Sequence, residues 1–377
     1  MANPQTLQDQ AGKVVLFVAF ELSDKKWKLA LSDGTEKRIV TMAAGDLVAL
    51  GEAVATATTR FGMLGDVLIV SCYEAGRDGF WLHRYLLHCG VAHVVVDASS
   101  IEVNRRARRA KTDRVDVEQL LRLLIRYHHG EKRVWSVVHV PSVEAEDARR
   151  LHRELERLKK ERTGHRNRMQ ALLVSQGIRL KPRHDLLKHL EQAQLWDGSA
   201  LPSDLQAEVR REEERLRLVD EQIRALQAEQ TQRLEEAALP CHHQIVQLMH
   251  LRGIGLTSAW VFVMEYFGWR QFTNRKEVAA LAGLTPMPYA SGDSYRDQGM
   301  SKAGNRRIRT LMIQIAWGWL RYQPHSALSV WFNTRFAQGG KRMRRIGIVA
   351  LARRLLIALW RHLQSGVMPD GARLKPL

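Results

Sequence analysis

The sequence predicts an α/β domain at the N-terminus, a helical coiled-coil middle and a mostly helical C-terminal domain. Three observations carry this prediction. Short apolar runs bounded by turn residues alternate with amphipathic stretches over residues 1–140. Leucines then recur at 4-3 spacing within residues 141–240, among dense Glu, Arg and Lys. From 241 to 377, glycine turns separate helical segments rich in aromatics and arginines.

Residues 14–20 form an unbroken apolar run of strand length, closed by Glu21. Residues 27–31 and 37–41 read as the next two strands, with Ser32-Asp33-Gly34-Thr35 as the hairpin turn between them. A helical stretch around 44–60 follows, then the strand Val67-Leu68-Ile69-Val70 ahead of Glu74, a helix near 79–89 and a strand over 92–96. An amphipathic helix opens with Asp113 and Asp116 and runs through Leu120, Leu121 and Leu124. Three meandering strands followed by alternating helices and strands is the order of a ribonuclease-H-like α/β domain.

In the middle segment, Leu151, Leu155, Leu158, Met169 and Leu172 mark one apolar seam, interrupted by Arg162 and His165. Leu205, Val209, Leu216, Val219, Ile223 and Leu226 mark a second. Gly177, Pro182, Gly198 and Pro202 lie between the seams and break a continuous helix. The pattern fits a helical hairpin or stalk, used for self-association or packed within one chain. The C-terminal segment opens with Leu251-Arg252-Gly253-Ile254-Gly255-Leu256, whose Gly-x-Gly turn resembles a helix-hairpin-helix element. Such a turn offers Arg252 and the Gly253 and Gly255 N–H groups to a phosphate. A basic run, Lys341-Arg342-Met343-Arg344-Arg345, precedes a final amphipathic helix through residue 363.

With 58 Lys+Arg against 40 Asp+Glu, the formal net charge is +18, and the pI is about 10.2. An excess of this size favours a polyanionic partner, most often nucleic acid. The N-terminal apolar run ends after seven residues and no stretch reaches membrane-spanning length, so the sequence predicts no membrane partner and a cytoplasmic, nucleoid-associated location. Cys72, Cys89 and Cys241 have no zinc-ligand spacing, and their odd number suits a reducing compartment. His242 and His243, beside Cys241, form no common zinc motif.

Within this basic chain, four carboxylates stand out. Glu21 and Glu74 close apolar strands, and Asp113 and Asp116, three residues apart, share one helical face. Acids so placed can converge on hard cations, and an all-oxygen set suits Mg²⁺, with Mn²⁺ able to substitute. Two such ions clamp a phosphodiester for in-line displacement, the chemistry of a nuclease or a strand-transfer enzyme. A second constellation lies at 283–293, where Pro286, Pro288 and the Ser291-Gly292 pair predict a rigid exposed loop leading to a basic helix start at 299–309. A serine beside clustered cations can attack a phosphodiester, although a turn serine more often caps a backbone N–H. Tyr289 and Tyr295 are further candidate nucleophiles.

The segments Tyr73-Glu74-Ala75-Gly76, Arg108-Arg109-Ala110-Lys111-Thr112-Asp113-Arg114-Val115-Asp116 and Ser291-Gly292 with Ser301-Lys302-Ala303-Gly304-Asn305-Arg306-Arg307 resemble the DEDD transposases of insertion sequences. That family comprises bridge-RNA-guided serine recombinases with a RuvC-like N-terminal domain, a coiled-coil middle and a C-terminal transposase domain. The resemblance covers nearly the whole chain. It implies that Glu74, Asp113 and Asp116 are the second to fourth acids of a Mg²⁺-binding tetrad, and that Ser291 forms a covalent link to DNA. It further implies a structured guide RNA pairing with donor and target double-stranded DNA, and a homo-oligomer, dimeric or tetrameric in the synaptic complex. Within it, the acids of one subunit meet the serine of another. The tetrad's first position, usually Asp, is Glu21 here, with Asp24 a conceivable substitute. Arg105, Arg106, Arg108, Arg109, Lys111, Lys302, Asn305, Arg306, Arg307 and Arg309 are then candidate contacts to RNA or DNA. Two other readings compete. One is a Holliday-junction resolvase or nuclease that uses only the acids, and the other is a non-catalytic nucleic-acid-binding scaffold.

Overall fold

The computed structural model describes residues 14–101, 113–131, 133–180, 186–237, 239, 241–291 and 294–376. The chain divides into two compact units, Met1–Val140 and Pro141–Leu377. The strands of the first are β1 (Val14–Glu21), β2 (Lys26–Ser32), β3 (Lys37–Ala43), β4 (Val67–Glu74) and β5 (Ala92–Val96). Helix α1 (Leu47–Arg60) follows β3, α2 (Trp81–His88) follows β4, and α3 (Asp113–His128) comes after β5.

The five strands form one sheet in the order β3-β2-β1-β4-β5. β1, β2 and β3 pair antiparallel because their connections are short, and Asp33 fixes the β2–β3 turn by accepting the N–H groups of Thr35 and Glu36 at 2.8 and 2.7 Å. β4 and β5 join parallel, which requires a crossover, and α1 and α2 supply the two crossovers. Each strand sorts its side chains by parity. Phe17, Ala19, Val70, Cys72, Val94 and Val96 face Val117, Leu120, Leu121 and Leu124 of α3. Leu16, Val18, Phe20, Tyr73 and Val95 face the opposite layer of α1 and α2, built around Leu50, Ala53, Leu82 and Leu86. The result is a sheet covered on both faces, with α3, Val134 and Trp135 on one of them.

The second unit begins with α4 (Val143–Asp147), α5 (Arg150–Val174), α6 (Leu186–Gln192) and α7 (Ser203–Glu235). The two apolar seams pack on each other within the chain. Leu155 and Leu158 meet Val219 and Ile223, whereas Met169 and Leu173 meet Val209 and Leu216, so α5 and α7 run antiparallel. The break in the seam is a charged layer: His165 Nδ1 lies 2.7 Å from Glu212 Oε2, and Arg162 lies 3.6 Å from Asp220. Burial alone would push the Glu212 carboxyl up, but the hydrogen bonds from His165 and Arg215 outweigh it and hold it below its ordinary range.

The remaining helices are α8 (His242–His250), α9 (Leu256–Phe262), α10 (Arg275–Leu281), α11 (Arg306–Tyr322), α12 (Ala327–Phe336) and α13 (Lys341–Ser365), with a hairpin of β6 (Pro286–Ser291) and β7 (Ser294–Met300) between α10 and α11. A π-helical turn, Val263–Phe267, continues α9. Trp260, Phe262, Tyr266, Trp319 and Leu355 lie in the core that these elements share. No helix of the described residues is long and apolar enough to cross a membrane.

Candidate active site

Glu21 and Glu74 end neighbouring parallel strands whose register pairs Phe20 with Tyr73, so the two carboxylates stand side by side. Alternation along each strand sends them to the face that carries α3, in phase with Phe17 and Ala19 on β1 and with Val70 and Cys72 on β4. Asp113 is the first residue of α3 and Asp116 lies in its first turn, half-buried just ahead of buried Val117. Beside the strand ends opens a cleft of about 380 Å³ lined by Glu21, Asp24, Glu74, Arg77 and Asp78, among others. Lys28 sits opposite Glu21 in the β1–β2 register, which puts a cation on the same face. Asp24 accepts a hydrogen bond from Arg77 at 2.9 Å, and both side chains are mostly exposed. Among the described residues no three His, Cys, Asp or Glu side chains converge on one metal position, and the Asp113 side chain lies outside that set. Arg105, Arg106, Arg108, Arg109 and Lys111 also lie outside the described residues.

Within the segment expected to be a loop, 283–293, lies strand β6, whereas the helix start expected at 299–309 is present, α11 beginning at Arg306 just after strand β7 ends at Met300. Ser291 is the last residue of β6 and pairs in register with Ser294, at the end of the hairpin where Gly292 and Asp293 intervene. Main-chain hydrogen bonds close the base of the hairpin and join the segments that flank it. Ser301 N–H donates to Thr285 O at 2.9 Å, and Asn305 N–H donates to Leu281 O at 2.7 Å. Gly304 has φ +100°, and a Cβ there would overlap the Leu281 carbonyl. Replacing Gly304 with alanine therefore combines left-handed strain with a backbone clash. It should cost about 3 kcal/mol, read as a lowered melting temperature with the hairpin loosened.

The basic motif after the hairpin divides into architectural and exposed residues. Asn305 caps α11, its Oδ1 accepting the N–H groups of Arg307 and Ile308 at 2.9 and 3.2 Å. Arg309 donates to the Lys302 carbonyl at 2.8 Å, and Arg307 binds Glu156 at 2.6 Å. These three side chains brace the protein, whereas Lys302 and Arg306 point to solvent. The centre of the bracing is Glu265, on the π-helical turn and only 1% exposed. It takes a two-pronged contact from Arg153 at 2.6 and 2.9 Å, one from His152 at 2.9 Å and one from Asn305 at 3.4 Å. Burial would raise its pKa, but these donors overcome that and hold the carboxylate far below its ordinary range. A lone Glu in the apolar run from Trp260 to Phe267 was the sequence signal for it, since a buried charge needs partners.

The Gly-x-Gly turn does join two helices, α8 and α9. Arg252 is exposed, but its backbone is tied to the C-terminal segment. Its N–H donates to Arg373 O at 3.0 Å, and its carbonyl accepts from Gln323 at 2.9 Å. Gly253, at φ +96°, packs against Tyr322, while Gly255 caps α9 with an ordinary negative φ. Elsewhere, Ser71 Oγ lies 2.7 Å from His93 Nδ1, but the pair is sealed under α2 at 1% and 5% exposure. Burial and the neighbouring His83 push His93 well below its usual pKa, so this is a neutral core contact out of reach of substrate. Cys72, Cys89 and Cys241 are free thiols.

The first unit thus carries an acidic strand-end cleft, and the second is helical and strongly cationic. Residues 246–330 match the Transposase IS116/IS110/IS902 family. A Sinorhizobium fredii protein named "Putative transposase y4rJ" is 43% identical over 377 residues, covering 96% of this chain and 94% of its own. The transposase for insertion sequence element IS1328 of Yersinia enterocolitica is 25% identical over 185 residues, 48% of this chain and 53% of its own. The Streptomyces coelicolor "Insertion element IS110 uncharacterized 43.6 kDa protein" is 27% identical over 164 residues, 42% of this chain and 38% of its own. The chain belongs to the IS110/IS116 family of insertion-sequence transposases.

Proposed function

We propose that this transposase is an RNA-guided DNA recombinase that cuts and rejoins donor and target DNA through a covalent serine–DNA link. The observation that carries the acidic half is the pairing of Glu21 with Glu74 at adjacent strand ends, on the face whose covering helix starts with Asp113 and Asp116. The sheet order β3-β2-β1-β4-β5, three antiparallel strands followed by two parallel ones, supports a ribonuclease-H-like, RuvC-like reading of this unit. Carboxylates alone make an oxygen-only donor set, which fits Mg²⁺ completed by substrate phosphates. When bound, such an ion neutralises charge and orients the scissile phosphate.

The protein's own residues do the rest. Ser291 supplies the hydroxyl that forms the new O–P bond as the bond to the departing sugar oxygen breaks. The serine proton leaves to a base, and the sugar oxygen takes one up. Ser291 ends strand β6, a regular element that supports its reading as a nucleophile, since a nucleophile must be positioned. Lys302, Arg306 and Arg252 grip backbone phosphates, and a paired guide RNA supplies sequence choice, so the protein need read only charge and shape.

The decisive test is Ser291→Ala, assayed with labelled element-end DNA, the flanking non-coding RNA and Mg²⁺. The denaturant-resistant protein–DNA adduct and strand exchange should both disappear, with DNA binding retained. Normal recombination by Ser291→Ala would refute the serine mechanism. Loss of the adduct with nicking preserved would point instead to a nuclease working through the acids and water.

A further inference from the structure

From Ser301 to Leu377 the chain holds fifteen Lys and Arg and one acid, Asp370, so this stretch carries most of the net charge of +18. Arg307, Arg309 and Lys375 are held by internal acceptors. Among the described residues the other cations of this stretch make no ion pair, and aromatic side chains stand among them. Trp317 is 42% exposed on the outer face of α11, in helical phase with Arg306, Gln314 and Arg321. Arg344, in the first turn of α13, lies over the Trp317 ring at 6.0 Å, and Arg321 lies over Tyr322 at 5.5 Å. Met343 and Ile346, beside Arg344, are also exposed.

We propose that this α11–α13 surface binds unpaired nucleotides, with Trp317 as a stacking platform and Arg306, Arg321, Lys341, Arg342, Arg344 and Arg345 as phosphate contacts. A purely phosphate-binding face has no use for an exposed indole under an arginine. A face shared with an identical copy of itself would set like charges against each other. Duplex DNA hides the faces of its bases, whereas an unpaired base can lie on an aromatic ring while arginines follow its backbone. The chemistry is common to an RNA loop and to a displaced DNA strand. It holds whether or not Ser291 is the nucleophile.

The test is fluorescence anisotropy of the full-length protein with labelled oligo-dT, oligo-U and a duplex of equal length. Trp317→Ala should weaken binding of the single strands about tenfold and leave the duplex within about twofold, while Trp317→Phe keeps most of the affinity. Arg344→Gln should weaken binding and reduce the slope of log affinity against log salt by about 0.7 for the single strands. The tighter of the two single-stranded probes identifies RNA or DNA as the source. Equal losses on duplex and single strands, or no loss at all, would overturn the proposal. So would a lower sedimenting mass for Trp317→Ala, which would make the face a subunit contact. Because Trp317 and Arg344 are exposed, an unchanged thermal melt separates these outcomes from misfolding.

Discussion

Replacing Glu265 with alanine should destabilise the second unit by about 3–5 kcal/mol, the usual consequence of removing one partner from a buried ion pair. For a unit of this size that corresponds to a melting temperature lowered by roughly 6–20 °C. The reason lies in what the carboxylate holds. His152 is 2% exposed at its side chain and loses its acceptor, while Arg153, 42% exposed, can recover water. Asn305 loses the contact that ties the α11 cap to the π-helical turn. Glu265→Gln keeps the shape and should fall between wild type and alanine. The pH dependence follows from the direction of the shift. A carboxyl whose folded pKa is depressed contributes fully above the unfolded value of about 4.3, and the contribution drains away as pH falls through the range below it. The difference in melting temperature between wild type and Glu265→Gln should therefore be constant near neutral pH and shrink once the pH drops below about 4. A difference that grows on acidification would show that Glu265 is neutral in the folded protein.

The bracing also explains which parts of this protein could be read from its sequence. The five strands of the first unit were legible because apolar runs of strand length ended at turns with unambiguous chemistry, Asp33-Gly34 above all. The hairpin carrying Ser291 was not. Pro286 and Pro288 argue against a strand, and Ser-Tyr-Arg-Asp-Gln-Gly has no apolar alternation, so only tertiary pairing reveals it. The internal partners of the cationic motif were hidden for a related reason. A run of arginines reads as a free phosphate-binding face until the fold delivers acids to it. Here Glu156 comes from a helix about 150 residues away, and Glu265 from 40 residues away. In the middle segment the periodicity identified the two helices, but it could not say that each was the other's partner. The charged layer around Glu212 supplied that register, because His165 and Arg162 interrupt the seam where Glu212 and Asp220 do.

Removing the charge of Glu74 should have the larger effect on chemistry. If the acids hold a Mg²⁺ ion as proposed, Glu74→Gln, which keeps the shape of the strand end, should lower strand cleavage by about a hundredfold to a thousandfold, the several kcal/mol that a positioned cation supplies. Glu21 needs a finer comparison, because it stands where the resembled family has Asp, and Asp24 is close by. The geometry separates the two. Glu21 is half-buried and in register beside Glu74, on the face covered by α3. Asp24 is 74% exposed at the cleft and already bound to Arg77, an exposed pair worth about 0–1 kcal/mol. If Glu21 is the ligand, Glu21→Gln should be as damaging as Glu74→Gln, and Asp24→Asn should be nearly silent. Glu21→Asp keeps the charge but withdraws the oxygens by about one methylene. It should cleave at an intermediate rate, since a misplacement near 1 Å can cost about a hundredfold. A damaging Asp24→Asn beside a harmless Glu21→Gln would move the first acid of the set to the loop after β1, and with it the metal position away from the strand ends.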